Sequence, residues 1–407
     1  MPWPVHRACY TGRVPRVGPF HALLYDVAAA GPLERVTAPP YDVISEPRRG
    51  GYLASSPYNI AHVDLAAHGS MVGEEDHAYV RAGRLLSDWV ERGVLVRSPE
   101  PSYFAYEMRF EIAGAHRNLR GLLCAMELEP WGGAVLPHER TMPDPVEDRL
   151  RLLRATHTHL SPIYGVISGP LESLRRLLDD VCAGPAQLAV TDEEDVEHRM
   201  WSVTGTPDVA RWLGAERLLI ADGHHRYTTA LAFRDERRAR DGSGPWDRIL
   251  TLVVDAGTQE VPVLPYHRLQ VAGSPPAGGR DVAGLPELLE QVDDAALRYG
   301  TASRNGRDRV AFRTHQLAGE PPTVAALHRD VLDVVAPGDA LRFTHDTDDA
   351  ILAVRSGAAV AAYILPPTSP ERIRTLVERG ERLPRKSTFF WPKPRTGMVL
   401  MPLDRPA

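Results

Sequence analysis

A strand–turn–helix–strand unit in the second half of the chain constrains the fold more than any other feature of the sequence. Residues 217–221 are a short apolar run that predicts a buried strand, and Asp222 and Gly223 follow as a tight turn. Helical spacing extends over residues 226–240, and residues 249–254 predict a second buried strand. Because strands and helices alternate in this way here and elsewhere, the sequence predicts a mixed α/β (α+β) fold.

Composition and charge exclude several classes of protein. The chain has 407 residues, of which 43% are hydrophobic and 25% charged, a balance that permits a sizeable core and argues against disorder. A net charge of −6 argues against binding nucleic acid or anionic membranes through bulk positive charge. The three cysteines match neither a disulfide framework nor zinc spacing, and no apolar run approaches the length of a membrane span. We therefore expect a cytoplasmic protein without nucleic-acid or membrane partners, and a homodimer stays open.

The turn and the first helical residues after it are the candidate centre of chemistry. A helix N-terminus presents backbone N–H groups and a positive dipole end, which together favour an anion. Gly223 permits close approach of the backbone, and Arg226 can bind two phosphate oxygens at once. The dipole favours neutral His224 and His225, which are expected to be exposed N–H donors, while Asp222 orients a histidine or helps to hold a metal ion. The alternative is an ordinary turn whose histidines are surface residues.

Lysine usage singles out a C-terminal segment. Only two of the 47 basic residues are lysines, Lys386 and Lys393. Because a compact ammonium and a planar guanidinium are not interchangeable, retention of lysine favours a site that needs the smaller group. Ser387, Thr388 and two aromatic residues beside Lys386 look like the wall of a site, so Lys386 is predicted to contact phosphate. Lys393 lies between two prolines and is predicted to face water. The alternative is that both lysines were kept by chance or for packing.

Several motifs resemble known families. The Asp-Gly-His-His-Arg motif at residues 222–226 resembles the nucleotide- and phosphate-handling motif of the ParB/sulfiredoxin superfamily, and its double histidine is similar to that of the archaeal free-serine kinase. Nearly the whole chain resembles domain-of-unknown-function family 1015 (DUF1015). The stretches that carry this second resemblance are residues 38–45 (APPYDVIS), 59–63 (NIAHV), 138–141 (HERT), 148–150 (DRL), 221–227 (ADGHHRY) and 383–393 (LPRKSTFFWPK).

The resemblance implies an ATP- or ADP-dependent kinase that acts on a small hydroxyl compound, with serine as the nearest precedent and Mg²⁺ on the nucleotide phosphates. It assigns phosphate handling to residues 222–226. In the kinase relatives a glutamate is the base that acts on the hydroxyl, and Glu139 is the candidate here, with Asp42 as the second candidate. Arg149 is expected to reach the same anion or to pair with a neighbouring carboxylate. Asn59 is expected to contact the substrate or to serve hydrogen bonding in the core.

A second function is compatible with the same motifs. The CTP-binding ParB relatives imply a nucleotide-binding switch, which binds CTP or ATP, hydrolyses it slowly and acts through a protein partner. A third reading is a protein that kept the fold and lost catalysis. Nucleotide-dependent turnover of a metabolite would favour the kinase, and ligand-dependent dimer closure without such a substrate would favour the switch.

The predicted domain organisation is a core over residues 1–271 and a second α/β lobe over residues 285–407 that completes the site. The proline- and glycine-rich stretch between them is the predicted linker. Within the first domain, a ParB/sulfiredoxin-like core is expected from residues 36–63 and 217–255, with residues 64–216 as a large insertion.

Overall fold

The computed structural model describes residues 16–67, 75–203, 205, 208–213, 216–305, 309–335 and 340–404. These residues form two compact units. The first unit comprises the described parts of Met1–Pro137, Thr141–Glu260 and Pro392–Ala407. The second comprises His138–Arg140 and the described parts of Val261–Trp391. The polypeptide therefore enters the second unit twice and returns to the first each time.

A nine-stranded mixed sheet forms the centre of the first unit. In spatial order, eight of its strands are Val135–Pro137, Leu218–Asp222, Ile163–Ile167, Arg248–Asp255, Ala115–Glu127, Tyr103–Ile112, Glu197–Val203 and Leu188–Thr191. The ninth, Val17–Gly18, pairs with Ala115–Glu127. Leu218–Asp222 is parallel to Val135–Pro137 and antiparallel to Ile163–Ile167. Ile163–Ile167 is buried throughout, as expected for a strand that reads as a continuous apolar run.

The helices of the first unit lie between these strands along the chain. They are Val27–Ala30, Leu33–Val36, Glu46–Ser55, Ala61–Asp64, Glu75–Glu91, Pro143–Thr156, Glu172–Cys182, Val209–Leu213 and His224–Asp241, with 3-10 helices at Tyr41–Val43 and Pro245–Asp247. Two small sheets pair Leu23–Tyr25 with Leu95–Arg97 and Thr158–His159 with Met401–Pro402. The hydrophobic core of this unit includes Leu122, Ile163, Ile220, Tyr227 and Val253.

The C-terminal segment, residues 392–404, is bound into the first unit by backbone hydrogen bonds. Ala38 and Thr396 exchange two of them, with N–O distances of 3.1 and 2.8 Å. Leu23 and Leu400 exchange another two, at 3.0 and 3.1 Å. Because these bonds anchor the segment at separate points, its side chains have defined positions in the first unit.

The second unit is built on a six-stranded antiparallel sheet. In spatial order its strands are Arg280–Val282, Arg309–Gln316, Arg298–Asn305, Ala361–Ile364, His267–Gln270 and Leu341–Thr344. Its helices are Leu285–Gln291, Thr323–Leu327, Asp333–Val335, Thr347–Ser356 and Pro370–Glu378, with a π-helical turn at His328–Leu332. A further pair of strands joins Val263–Pro265 to Thr388–Phe390. Leu288, Ala302, Ala350, Val354 and Ile364 belong to its hydrophobic core.

The structure confirms the mixed α/β class and the strand–turn–helix–strand unit. The predicted strand at 217–221 is Leu218–Asp222, and the predicted helix at 226–240 is His224–Asp241. The second predicted strand lies within Arg248–Asp255. None of the helices in the described part of the chain combines the length and apolar character needed to cross a membrane.

The boundaries between the two units lie at different residues from the domain boundaries that the sequence predicts. The supposed insertion at 64–216 supplies six of the nine strands of the central sheet, whereas residues 36–63 supply only helices. The supposed linker contains the edge strand Arg280–Val282 of the second unit, and the chain leaves the first unit earlier, at Glu260, before it returns at Pro392. The C-terminal segment belongs to the first unit rather than to a second lobe. Proline and glycine mark turns within a sheet as well as linkers, which explains the error.

Candidate functional site

The turn at Asp222–Arg226 requires glycine at its second position, Gly223. Gly223 has a φ of +98°, in the left-handed region, and ends the strand Leu218–Asp222. A Cβ atom at this position would lie 2.7 Å from Ile163 Cγ2, closer than packed atoms tolerate. Both facts restrict the site to glycine. The 18-residue helix His224–Asp241 follows directly, so its positive dipole end lies at this turn.

Arg226 holds the turn in place. Its Nη1 donates to Ser161 Oγ at 2.8 Å and to the carbonyl of Pro162 at 2.6 Å, and its Nη2 donates to the Asp222 carboxylate. Its Nε is buried and has no hydrogen-bond partner among the residues that the structure describes. In this conformation both Nη atoms are bonded within the protein, and binding of two phosphate oxygens by Arg226 stays a prediction. Its guanidinium positions the turn and contributes positive charge beside it.

His224 is buried, and the prediction of an exposed donor is wrong for this residue. Its ring stacks on Trp131, with centroids 6.1 Å apart and planes at 18°. Tyr227, one helical turn on, also packs against Trp131 at 4.4 Å and donates from its hydroxyl to the carbonyl of Glu129 at 2.8 Å. The ring of His224 thus helps to pack the loop around Trp131 against the start of the helix.

His225 is half-buried, so it too is less exposed than predicted, and a hydrogen bond to its ring defines its protonation. Its Nε2 accepts a hydrogen bond from the backbone N–H of Met142 at 3.1 Å. A ring nitrogen that accepts carries no proton, so the imidazole is neutral and its proton is on Nδ1. His225 therefore keeps the neutral N–H donor character that the sequence predicts, with Nδ1 as the donor atom.

Lys393 is the main residue that the sequence analysis misplaced. Its side chain is only 7% exposed, and its ammonium donates to Asp42 Oδ2 at 2.9 Å and to Asp222 Oδ1 at 2.5 Å. The prediction that Lys393 faces water is wrong, because the extended segment that its flanking prolines produce runs into the first unit. The signal that could have identified it was already present, since it is one of only two lysines in the chain.

Arg149 is an anchor in the same region of the first unit. It is buried, and its guanidinium bonds Asp64 Oδ1 at 2.8 Å and Asp148 Oδ2 at 2.6 Å. Burial raises the pKa of Asp64, against the opposing effect of Arg149. The guanidinium also lies 4.2 Å from the ring centroid of Tyr41, a cation–π geometry. The expected ion pair with Asp148 is confirmed, and these bonds leave Arg149 as a support for Tyr41.

Tyr41 is a candidate site residue that sequence reasoning missed. Burial raises the pKa of its hydroxyl, and the nearby carboxylates of Asp42 and Asp222 raise it further while Arg149 and Arg226 oppose them. The hydroxyl is therefore a neutral donor. It lies near two carboxylates, Asp42 and Asp222, and two guanidinium groups. Its place in the proline-rich stretch 38–45 made it look like an ordinary turn residue.

Asn59 has a structural role. Its side chain is fully buried, and its Nδ2 donates to the carbonyls of Arg35 at 2.9 Å and Thr37 at 3.2 Å. Its Oδ1 accepts from the N–H of Ala61 at 2.9 Å. Both ends of the amide are therefore bound to backbone, and the prediction of a substrate contact is replaced by the alternative, hydrogen bonding in the core.

Glu139 and Lys386 belong to the second unit. Glu139 Oε1 accepts a hydrogen bond from the backbone N–H of Ser387 at 3.0 Å, which places it next to the lysine-bearing loop. Lys386 has a left-handed φ of +55°, and its ammonium lies 5.1 Å from the ring centroid of Tyr266. These two predicted site residues are thus neighbours within their own unit.

The family of the chain follows from comparison with known families. The model of the family described as "Protein of unknown function (DUF1015)" matches residues 17–276, more than half of the chain. The chain belongs to the DUF1015 family. The region matched in this DUF1015 protein contains Asp42 and the Asp222–Arg226 turn, and it ends before Lys393. No curated protein sequence matches the chain.

Solved structures resemble this DUF1015 protein only weakly. A free serine kinase in complex with AMP is 15% identical over 63% of this chain and 83% of its own, with a TM-score of 0.34. A conserved hypothetical protein from Pyrococcus furiosus is 14% identical over 64% and 89%, with a TM-score of 0.33. SbnI with a C-terminal truncation, from Staphylococcus aureus, is 13% identical over 67% and 84%, with a TM-score of 0.33. Similarity at this level does not identify an activity.

The ion pairs of Lys393 lead to a stability prediction. Lys393→Met leaves Asp42 and Asp222 without their shared cation, so we expect it to lower the free energy of unfolding by about 3 kcal/mol. Adding Asp42→Asn to Lys393→Met should recover part of this loss. Lys386→Met removes no ion pair and should change stability by less than about 1 kcal/mol. Urea unfolding in phosphate-free buffer measures all three, and equal effects of the two lysine variants would contradict the assignment.

Proposed function

We propose that this DUF1015 protein is a small-molecule kinase that transfers a phosphoryl group from a nucleotide to a hydroxyl compound such as serine. The observation that carries the proposal is the juxtaposition of the Asp222–Arg226 turn with the ammonium of Lys393, which Asp222 itself holds. The resemblance of the double-histidine motif to that of the free-serine kinase supports the same function.

The chemical argument is that phosphoryl transfer depends mainly on positioning and on charge stabilisation. A helix N-terminus at a glycine turn is a natural place for phosphate oxygens, since the first backbone N–H groups of a helix have no partner within it. Lys393 would add a compact positive charge, and His225 a neutral N–H donor at Nδ1. Together these groups match the negative charge of the group that is transferred.

In the proposed step, the acceptor hydroxyl oxygen forms a bond to the terminal phosphorus of the nucleotide. The bond from that phosphorus to the bridging oxygen breaks, and the shortened nucleotide leaves with the electron pair. The hydroxyl proton passes to a carboxylate, for which we propose Asp42. Its side chain is 28% exposed and belongs to the charge cluster of the turn. Glu139, the first candidate from sequence, remains a proposal for the second unit.

Mg²⁺ fits the proposal only together with nucleotide phosphates. The described residues contain no group of three or more histidine, cysteine or acidic side chains that could hold a metal by themselves. Mg²⁺ commonly keeps several waters and binds through one or two carboxylates plus substrate phosphates. Asp222, which lies at the turn, is the carboxylate that would serve, and Asp42 is left as the proposed base. The metal would neutralise charge on the phosphates.

The proposed function is tested by binding and turnover of the full chain. Thermal unfolding is followed with ATP, ADP and CTP, with and without Mg²⁺, because a ligand of the native state raises its stability by mass action. Product formation from serine is followed by phosphorus NMR. Stabilisation by ATP or ADP with formation of a phosphomonoester supports the kinase. Absence of any nucleotide effect contradicts it, and stabilisation by CTP without product would indicate a switch instead.

The two histidines provide a matched pair of variants. We expect His225→Ala to lower turnover roughly 10²-fold, the scale for losing one donor to a developing charge, with a change in stability of about 1 kcal/mol or less. His224→Ala should instead lower the free energy of unfolding by roughly 1–3 kcal/mol, because its ring is buried against Trp131. Kinetics and urea unfolding of both variants test this, and the reverse pattern would refute the assignment.

Tyr41 gives an isosteric test of the same site. Tyr41→Phe keeps the ring under Arg149 and removes only the hydroxyl, so nucleotide affinity or turnover should fall roughly 10-fold with stability nearly unchanged. The control is Tyr79→Phe, whose hydroxyl donates to Asp148 Oδ1 at 2.6 Å. This control should lower stability by about 1 kcal/mol and leave nucleotide affinity unchanged. Wild-type affinity in Tyr41→Phe would exclude a ligand contact.

A further inference from the structure

A group of cations in the second unit is not explained by the proposed function. We call the following three side chains the cationic patch: Arg140, Arg382 and Lys386. Two hydrogen bonds join the segments that carry them. The N–H of Leu383 donates to the carbonyl of His138 at 2.9 Å, and the N–H of Ser387 donates to Glu139 Oε1 at 3.0 Å.

No residue of the cationic patch forms an ion pair with a carboxylate in the described part of the chain. Arg382 donates to the backbone carbonyl of Glu381 at 2.8 Å, and Lys386 reaches only the hydroxyl and ring of Tyr266. Burial lowers the pKa of Arg382, and the charge of Arg140 lowers it further, so these two cations repel one another. Such repulsion without a counter-ion is unusual in a chain whose net charge is −6.

A fourth cation, Arg268, lies directly behind the loop of Lys386. It is fully buried, and its Nη1 donates to the carbonyls of Tyr266 and Lys386, the second at 2.9 Å. Its Nη2 donates to the carbonyl of Arg385 at 3.3 Å, and its Nε donates to His328 Nε2 at 3.1 Å. All of these acceptors are neutral, whereas buried charges in proteins are normally paired with opposite charges.

The charge balance around the loop is therefore positive. Burial lowers the pKa of Arg268 to about 9, and Glu139 is the one carboxylate that acts against this shift. Residues 138–140 and 381–387 carry two acidic residues, Glu139 and Glu381, against four cations, and Arg268 lies behind the loop. The resulting positive potential favours an anion at the patch, and partial burial strengthens it by limiting the screening of charge by water.

We propose that the cationic patch binds the phosphate group of a small phosphorylated molecule. The ammonium of Lys386 and the guanidinium groups of Arg140 and Arg382 would contact the phosphate oxygens, since two forked donors and a point charge suit a dianion. Arg268 would act through its charge alone, because its donors are bonded to protein acceptors. This site goes beyond the proposed function, which rests on residues of the first unit.

The test is a calorimetric titration of the full chain with inorganic phosphate, and in a second arm with O-phosphoserine, at constant ionic strength maintained with chloride. We expect the wild-type protein to bind inorganic phosphate, O-phosphoserine or both. The double variant Arg140→Gln/Lys386→Gln should bind at least roughly 10-fold more weakly, since each lost bond is to a charged group. The matched control is Arg329→Gln, whose arginine already pairs with Asp330 at 2.7 Å, and it should bind as wild type does.

A further variant separates this site from the turn of the first unit. His225→Ala should keep phosphate binding at the cationic patch even if it loses nucleotide-dependent turnover. Lys386→Arg, which retains the charge but not the compact ammonium, should bind phosphate more tightly than the double variant does. Thermal unfolding of the double variant without ligand guards against a folding defect. Wild-type affinity in the double variant, or no binding of either probe by wild type, would overturn the proposal. Loss of phosphate binding in His225→Ala alone would place the anion at the turn and overturn it as well.

Discussion

The bridge from Lys393 to Asp42 and Asp222 is the interaction on which the candidate site depends. A lysine that is 93% buried is stable as a cation only if opposite charges replace its lost water, and two carboxylates do so here. The bridge joins the C-terminal segment, the helical turn at Tyr41–Val43 and the end of the central strand Leu218–Asp222. Asp222 also bonds Arg226, so the bridge continues into the turn at the helix N-terminus.

Local chemistry made part of this site predictable. An apolar strand, a glycine turn and a helix are encoded by neighbouring residues, and the turn geometry of residues 222–226 follows from them. The partners of the site are remote. Lys393 bonds carboxylates that lie 351 and 171 residues away, and the ring of His224 is covered by Trp131 from a separate loop. No local pattern reports such pairings, so Lys393 was predicted to be exposed and His224 to be a free donor.

The difference between local patterns and contacts of remote residues also explains which parts of the fold could be predicted. Individual strands and helices were recognisable from periodicity, and the α/β class followed from their alternation. The order of strands in the nine-stranded sheet places Ala115–Glu127 beside Arg248–Asp255, and this pairing makes the supposed insertion part of the core. Sheet order depends on long-range packing rather than on any one segment. Domain boundaries inferred from composition alone were therefore displaced.

The central claim is that the Asp222–Arg226 turn and Lys393 bind nucleotide phosphate. A crystal structure of the full chain with ADP tests this most directly. The account predicts phosphate oxygens about 3 Å from backbone N–H groups at the start of the helix His224–Asp241 and from the ammonium of Lys393. Phosphates bound away from this turn, with Lys393 still bonded to Asp42 and Asp222, would contradict it.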